Sequence, residues 1–497
     1  MGAAVARRSF LRAAGALGLT GAGSAALAAC GAVPVPEIAP GRSYTAPKPG
    51  KLTVQLDGTW ETHRVLRERL LPLFESRHPG ILVTLSTGIA DLPVLKRQAA
   101  SNRAPDVVLF GASQAPAVAD GKLTVPLDSR LGAWGYQGDL VPASVVSSQW
   151  AGKQWGLPLS MDVRLHFWRK SLLADAGLDR APATWEEVVE TVRRSVLVER
   201  SAIAREGYPR PDGWSGFVAA LLACGRGLFA PPVASPAAAA TSGGAGVPAA
   251  ASPAATVGQA APSSTAVAGQ TSTTSQTPPG AQLDIAGPDG QAALAHLLAI
   301  FRATRPAGAL TGRTRPAAYP FATGTLAHTV DNATPLRALE QTYPAELENV
   351  LIGEPPLPGV ASTGGGKQKP VTLISAEWLG ILAGSQAQDQ AWALVQYLLE
   401  PASLLAVNET RYFRPPRKSL STAKYLRTPH LEKMIDLSDR YGVPVPRVPD
   451  AALFRDTLRS AADDAFTGRV TPEQALTTAT RKLQAEVDRT HFRPEAV

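Results

Sequence analysis

The chain has 497 residues, 45% of them hydrophobic, enough to bury a sizeable core and to exclude wholesale disorder. Its formal net charge is +8, and since residues 1–29 hold three Arg and no acid, the remainder carries 8 − 3 = +5. Those charges are scattered, with no basic helix and no basic run interleaved with aromatics, so nothing supports a nucleic-acid partner. There are two cysteines, Cys30 and Cys224, from which neither a disulfide framework nor a cysteine-based zinc site can be built within one chain.

In chain order, the N-terminal segment comes first. Arg7-Arg8 followed by Ser9-Phe10-Leu11 resembles a twin-arginine export signal. The apolar stretch beyond Arg12 is too short and too rich in Gly and Ala for a permanent membrane span, which needs about 20 strongly apolar residues. Leu27-Ala28-Ala29-Cys30 resembles a bacterial lipobox, which implies a signal peptide over 1–29, acylation of Cys30 and a membrane anchor. Residues 30–50 then form the lipidated Cys and a flexible tether of Pro, Gly, Ala and Ser.

The body opens with Leu52, Val54 and Leu56, which alternate as a strand. Leu66, Leu70, Leu73 and Phe74 recur at helical spacing, with Pro72 set to interrupt the helix. Ile81, Val83 and Leu85 make a second strand. Asp106 to Phe110 is a continuous apolar run, the pattern of a parallel strand covered on both faces. Strands and helices alternating at this spacing predict an α/β lobe. Thr184-Trp185-Glu186-Glu187 and Thr471-Pro472-Glu473-Gln474 are capping boxes that open helices. Residues 231–280 have almost no large apolar side chain and read as a disordered insertion on a loop.

The order of these segments resembles family 1 extracellular solute-binding proteins, the class of maltose-binding protein. Ala104 to Val108 resembles the family's first-lobe strand, and Gly121-Lys122-Leu123 with Pro126-Leu127-Asp128 its G-x-L-x-x-L-D turn. Gly152 to Pro158 (GKQWGLP) resembles G-K-x-Y-G-L-P, and Leu172 to Glu187 resembles L-x-x-A-G-L-x-x-P-x-T-W-E-E. Phe321, Gly324 and Ala327 fit its return segment, Gln390 to Leu399 its late helix, and Pro415 to Lys418 its P-x-R-K. The resemblance covers about residues 51–490 outside the insertion. It implies a type II binding-protein fold, two α/β lobes of sheets flanked by helices with a ligand cleft between them. The expected boundaries are lobe 1 over 51–158, lobe 2 over 159–327, a lobe 1 return over 328–375, and mainly lobe 2 helices over 376–497. The implied role is capture of a carbohydrate for an ABC permease, by a monomer on the outer face of the membrane, with no cofactor or metal.

Five residues stand out as candidate ligand contacts. Asp162 follows Pro158 by four, where maltose-binding relatives place a ligand carboxylate, and Arg164 is a structural partner for it otherwise. Trp60 and Trp378 fall on loops where the family pattern faces the cleft, each open to stacking or to packing. Ser113 ends a strand as a hydrogen-bond donor. Arg417 lies where some relatives contact ligand, and a fork there suits carboxylate, phosphate or hydroxyls. Asp331-Asn332-Ala333-Thr334 replaces the family's Gly-Pro-Trp, and Phe167-Trp168-Arg169 ends in Arg where Asn is usual, so a maltose-like ligand does not follow. Two alternatives stay open: a glycerophosphodiester-binding member of the family, and a secreted carbohydrate-active hydrolase, although the body has no H-E-x-x-H, G-x-S-x-G or P-loop.

Overall fold

In the computed structural model, residues 48–56, 60–87, 90–197, 214–230, 281–303, 321, 326–359 and 367–494 are described. Cys30, the tether up to residue 47 and the insertion lie outside them, while Gly50, expected as the tether's last residue, opens the first strand. β1 (Gly50–Gln55), β2 (Ile81–Ser86) and β3 (Val107–Phe110) run parallel, with β1 between the other two. Leu52, Val54 and Leu56 are fully buried, as their alternation requires, and all four residues of β3 are covered. β2 is less regular: Ile81 is buried, Val83 and Leu85 are half-buried, and Leu82 is exposed.

The segment after β1 is helical from Trp60 to Arg77, but residues Leu66–Leu70 are π-helical. The bulge sits just ahead of Pro72, whose missing N–H and ring bulk are best accommodated where the i→i−4 ladder is already broken. Leu66, Leu70 and Phe74 face the core, whereas Leu73 is exposed.

A small hairpin of β4 (Gln149–Trp150) and β5 (Lys153–Gln154) leads into β6 (Leu157–Val163). The strand continues past Arg164 as β7 (Leu165–Arg169), which belongs to a different sheet. There β8 (His328–Asp331) and β9 (Val350–Gly353) flank it, both antiparallel. β10 (Thr372–Ile381) returns to the first sheet, antiparallel to β3 and to β6, and its first residues run parallel to β11 (Gly442–Pro444). This pairing corrects two expected boundaries. Residues 328–331 and 350–353 pair with β7, so the chain re-enters the first sheet only at Thr372. The stretch beyond 376 begins inside that sheet, because β10 is apolar enough to be buried on both faces, and helix Gln388–Leu398 joins the same core as β1.

Both capping boxes sit at helix starts, one complete. Thr471 and Gln474 satisfy each other's backbone amides. At the other, Thr184 Oγ1 accepts from the Glu187 amide, but the Glu187 carboxylate takes the Ala183 amide and Arg180. The ends of the insertion meet in an antiparallel bridge between Phe229 and Leu283, closed by Ala230 N–H donating to Gln282 O at 2.8 Å. Gln484 of the last helix pins this stem, donating to Ala281 O and accepting from Leu283 N–H. Phe492 stacks on Trp150 at 5.1 Å and packs against Phe229 at 5.4 Å.

Candidate binding site

Parallel strands present their C-terminal ends at one edge of a sheet, where α/β proteins hold ligands. Trp60 follows β1 and Ser113 follows β3, so both stand at that edge of the first sheet. β6 is antiparallel to β10, which is antiparallel to β3, so β6 runs the same way as β3 and carries Ser160 and Asp162 toward the same edge. Residues two apart on a strand share a face, and so do residues paired across it. Ser160, Asp162, Ser375 and Glu377 therefore form one polar row.

Two charge groups occupy this row. Ser160 Oγ donates to Glu377 Oε2 at 2.7 Å, and Arg411 clamps the Glu377 carboxylate while lying over the Phe413 ring at 4.0 Å. Next along, Asp162 Oδ2 accepts from Arg164 Nη2 at 3.2 Å and from Asn332 Nδ2 at 3.3 Å. Arg164 also pairs with Asp331 at 3.6 Å. Burial pushes the Asp331 carboxyl up, against the pull of the Arg164 charge. Asp162 Oδ1 is buried and has no hydrogen-bond partner among the described residues. A buried carboxyl oxygen left without a hydrogen bond is costly, which marks it as an atom with room for a donor.

The sequence-derived candidates separate sharply. Trp60 is 72% exposed at the start of its helix, a free ring face at the strand edge. Ser113 is half-buried in the turn after β3. Asp162 has both the structural partner expected for it, Arg164, and a bare second oxygen. Trp378 is a correction: it is 0% exposed, stacked on Phe110 at 4.6 Å, with Nε1 donating to Gly111 O at 2.9 Å. It lies in β10 and not on a loop, so neither ring face is open to a ligand. Arg417 is a second correction. Its Nε donates to Asp139 at 2.7 Å, its Nη1 to Leu399 O, and it lies over the Tyr136 ring at 4.6 Å. Burial alone would raise the Asp139 carboxyl, but hydrogen bonds from Ser419 and Arg417 hold it below its ordinary range. The fork is spent on a buried clasp.

Sequence reading missed Arg411 and Asn332. Asn332 does carry a trace, since it falls in the segment that departs from the family pattern; Arg411 carries none, because its partner Glu377 is fixed only by strand pairing. Among the described residues no group of three or more His, Cys, Asp or Glu is arranged to hold a metal ion, and no helix is long and apolar enough to cross a membrane.

A profile of the family described as bacterial extracellular solute-binding protein matches residues 60–404. Among solved structures, an ABC transporter solute-binding protein from Thermotoga lettingae, bound with alpha-D-tagatose, aligns with a TM-score of 0.66 at 17% identity over 89% of this chain and 100% of its own. An ABC substrate-binding protein from Listeria monocytogenes in complex with cycloalternan gives 0.67 at 17% identity, covering 89% and 100%. The sugar-binding protein MalE from Xanthomonas citri gives 0.67 at 18% identity, covering 88% and 98%. At such identities the likeness is one of fold: the two-lobe α/β binding-protein architecture.

Proposed function

From the premise that the chain belongs to the bacterial extracellular solute-binding protein family, we propose that it captures a carbohydrate, an oligosaccharide or polyol, and hands it unchanged to an ABC permease. The observation that carries this reading is the presence, at one sheet edge, of both an exposed Trp60 ring and the bare Oδ1 of Asp162. A sugar presents both hydroxyl donors and an apolar ring face, and sites for it combine carboxylates with aromatic planes. The structural neighbours named for tagatose, cycloalternan and sugar binding support the same ligand class. Arg417, engaged with Asp139, lends no support to a phosphodiester ligand. The mechanism is reversible: a ligand touching both lobes favours their closed arrangement by its differential affinity for it.

The test is a panel of sugars and polyols screened by calorimetry on protein starting after Cys30. Asp162→Ala and Trp60→Ala should each weaken the hit by about 1–3 kcal/mol, roughly fivefold to somewhat over a hundredfold, with the sugar recovered intact. Normal binding by both variants would discard this site, and steady release of cleaved sugar would replace capture with catalysis. Anchoring through Cys30 is part of the proposal, and Cys30→Ser should release the protein from membranes.

A further inference from the structure

Beside β7 and β8 lies a partly open hollow of about 60 Å³. Helices Trp185–Leu197, Ser215–Ala223 and Pro288–Ala303 supply its other walls. Most of the lining is apolar, including Ala219, Ala223, Leu297 and Ile300, but three imidazoles and Arg164 also face it. His166 Nδ1 lies 3.2 Å from His328 Nε2, and His296 stacks flat on Trp185 at 4.2 Å with 6° between the rings. Among the described residues the ring nitrogens of His296 take no hydrogen bond. Arg164 connects the hollow to the polar row, since the guanidinium that lines it also binds Asp162.

We infer that this hollow receives a neutral amide group, carried either as the acetamido arm of a larger solute or as a small free amide. Size, charge and polarity converge on that class. A cavity needs about 10–15 Å³ on this measure to hold one water, so the hollow holds a few water-sized groups, room that the four non-hydrogen atoms of acetamide do not exceed. Charge is disfavoured. Arg164 is already ion-paired with Asp162 and Asp331, and burial keeps the imidazoles uncharged, lowering His166 to about 4 and His296 to about 3. A neutral imidazole offers one donor and one acceptor, matching an amide's C=O and N–H, while alanine and isoleucine side chains suit its methyl group. The inference goes beyond sugar capture and does not depend on which solute occupies the polar row.

The test titrates the protein from residue 31 onward at pH 8 with acetamide, N-acetylglucosamine and glucose, using ammonium and acetate ions as charged comparators. Ring resonances of His166, His296 and His328 report binding, and Ala219→Leu, with Ala223→Leu as a second filling variant, should plug the hollow. Melting curves check that each variant is folded. A saturable shift with acetamide or N-acetylglucosamine, lost in a folded filling variant, bears the inference out. If N-acetylglucosamine also binds about tenfold more tightly than glucose, the amide arrives as an arm; if acetamide binds and the sugars do not differ, it arrives free. No saturable shift from either neutral amide overturns the inference, as do equal binding of the ions and binding unchanged by filling.

Discussion

The two sheets treat their interiors in opposite ways. Around Trp378 the first sheet is packed without slack: Phe110 stacks on Trp378, and a Cβ added to Gly156 would lie 2.2 Å from the Trp378 ring and 2.4 Å from Leu379 O. Around β7 the second sheet keeps a hollow and lines it with imidazoles that pack against Trp168 and Trp185. Close packing stores stability in shape, so it is sensitive to volume and indifferent to pH. A hollow with buried bases stores less in shape and ties part of its stability to protonation.

The sharpest way to break the first half of this comparison is Trp378→Ala. Removing a fully buried, hydrogen-bonded indole should cost about 3–5 kcal/mol of unfolding free energy, read by urea denaturation of the empty protein. A cleft tryptophan solvated in the open state would leave that value nearly untouched, so the measurement separates core from site. Gly156→Ala should follow at about 3 kcal/mol, because one close neighbour is backbone and cannot swing aside.

The second half is sharpened by acid. The folded pKa values of His166 and His296 lie below the unfolded value near 6.5, so below that pH the unfolded chain takes up protons the folded one refuses. Stability contributed by these rings is therefore present above pH 6.5 and drains away as pH falls toward 4. Each buried ring should account for about 2 kcal/mol between pH 8 and pH 5. Comparing urea midpoints of wild type and His296→Phe at the two pH values isolates the effect: the variant should show the shallower loss, and parallel losses would refute it.

The smallest effect tests whether the insertion belongs to either packing regime. Its ends meet in the Phe229–Leu283 bridge, so replacing residues 231–280 by a Gly/Ser loop of about half that length should change stability by less than about 1 kcal/mol, one halving of loop length being worth about 0.6 kcal/mol. A loss of several kcal/mol in thermal unfolding would show that residues 231–280 pack on the body.

What could be read along the chain was whatever depends on near neighbours. The alternation of Leu52, Val54 and Leu56 and the unbroken apolar β3 both came through. Asp162 was legible because it follows a recognisable segment, and its partner Arg164 is two residues away. Trp378 misled because the family pattern sets it on a cleft-side loop, while strand pairing with Phe110 and Pro158 makes it core. Arg417 misled because its partner, Asp139, is 278 residues distant.

By itself the sequence determined the element types, the α/β class and the polar carboxylate past Pro158, since side-chain period and local capping act within a few residues of backbone. Only the tertiary structure decided which sheet β8 and β9 join, which tryptophan stays exposed, and that His166, His296 and His328 line one hollow. His166 and His328 lie 162 residues apart in the chain. Their meeting depends on how β7 and β8 pair, and pairing is set by the burial of whole faces rather than by any short stretch of residues.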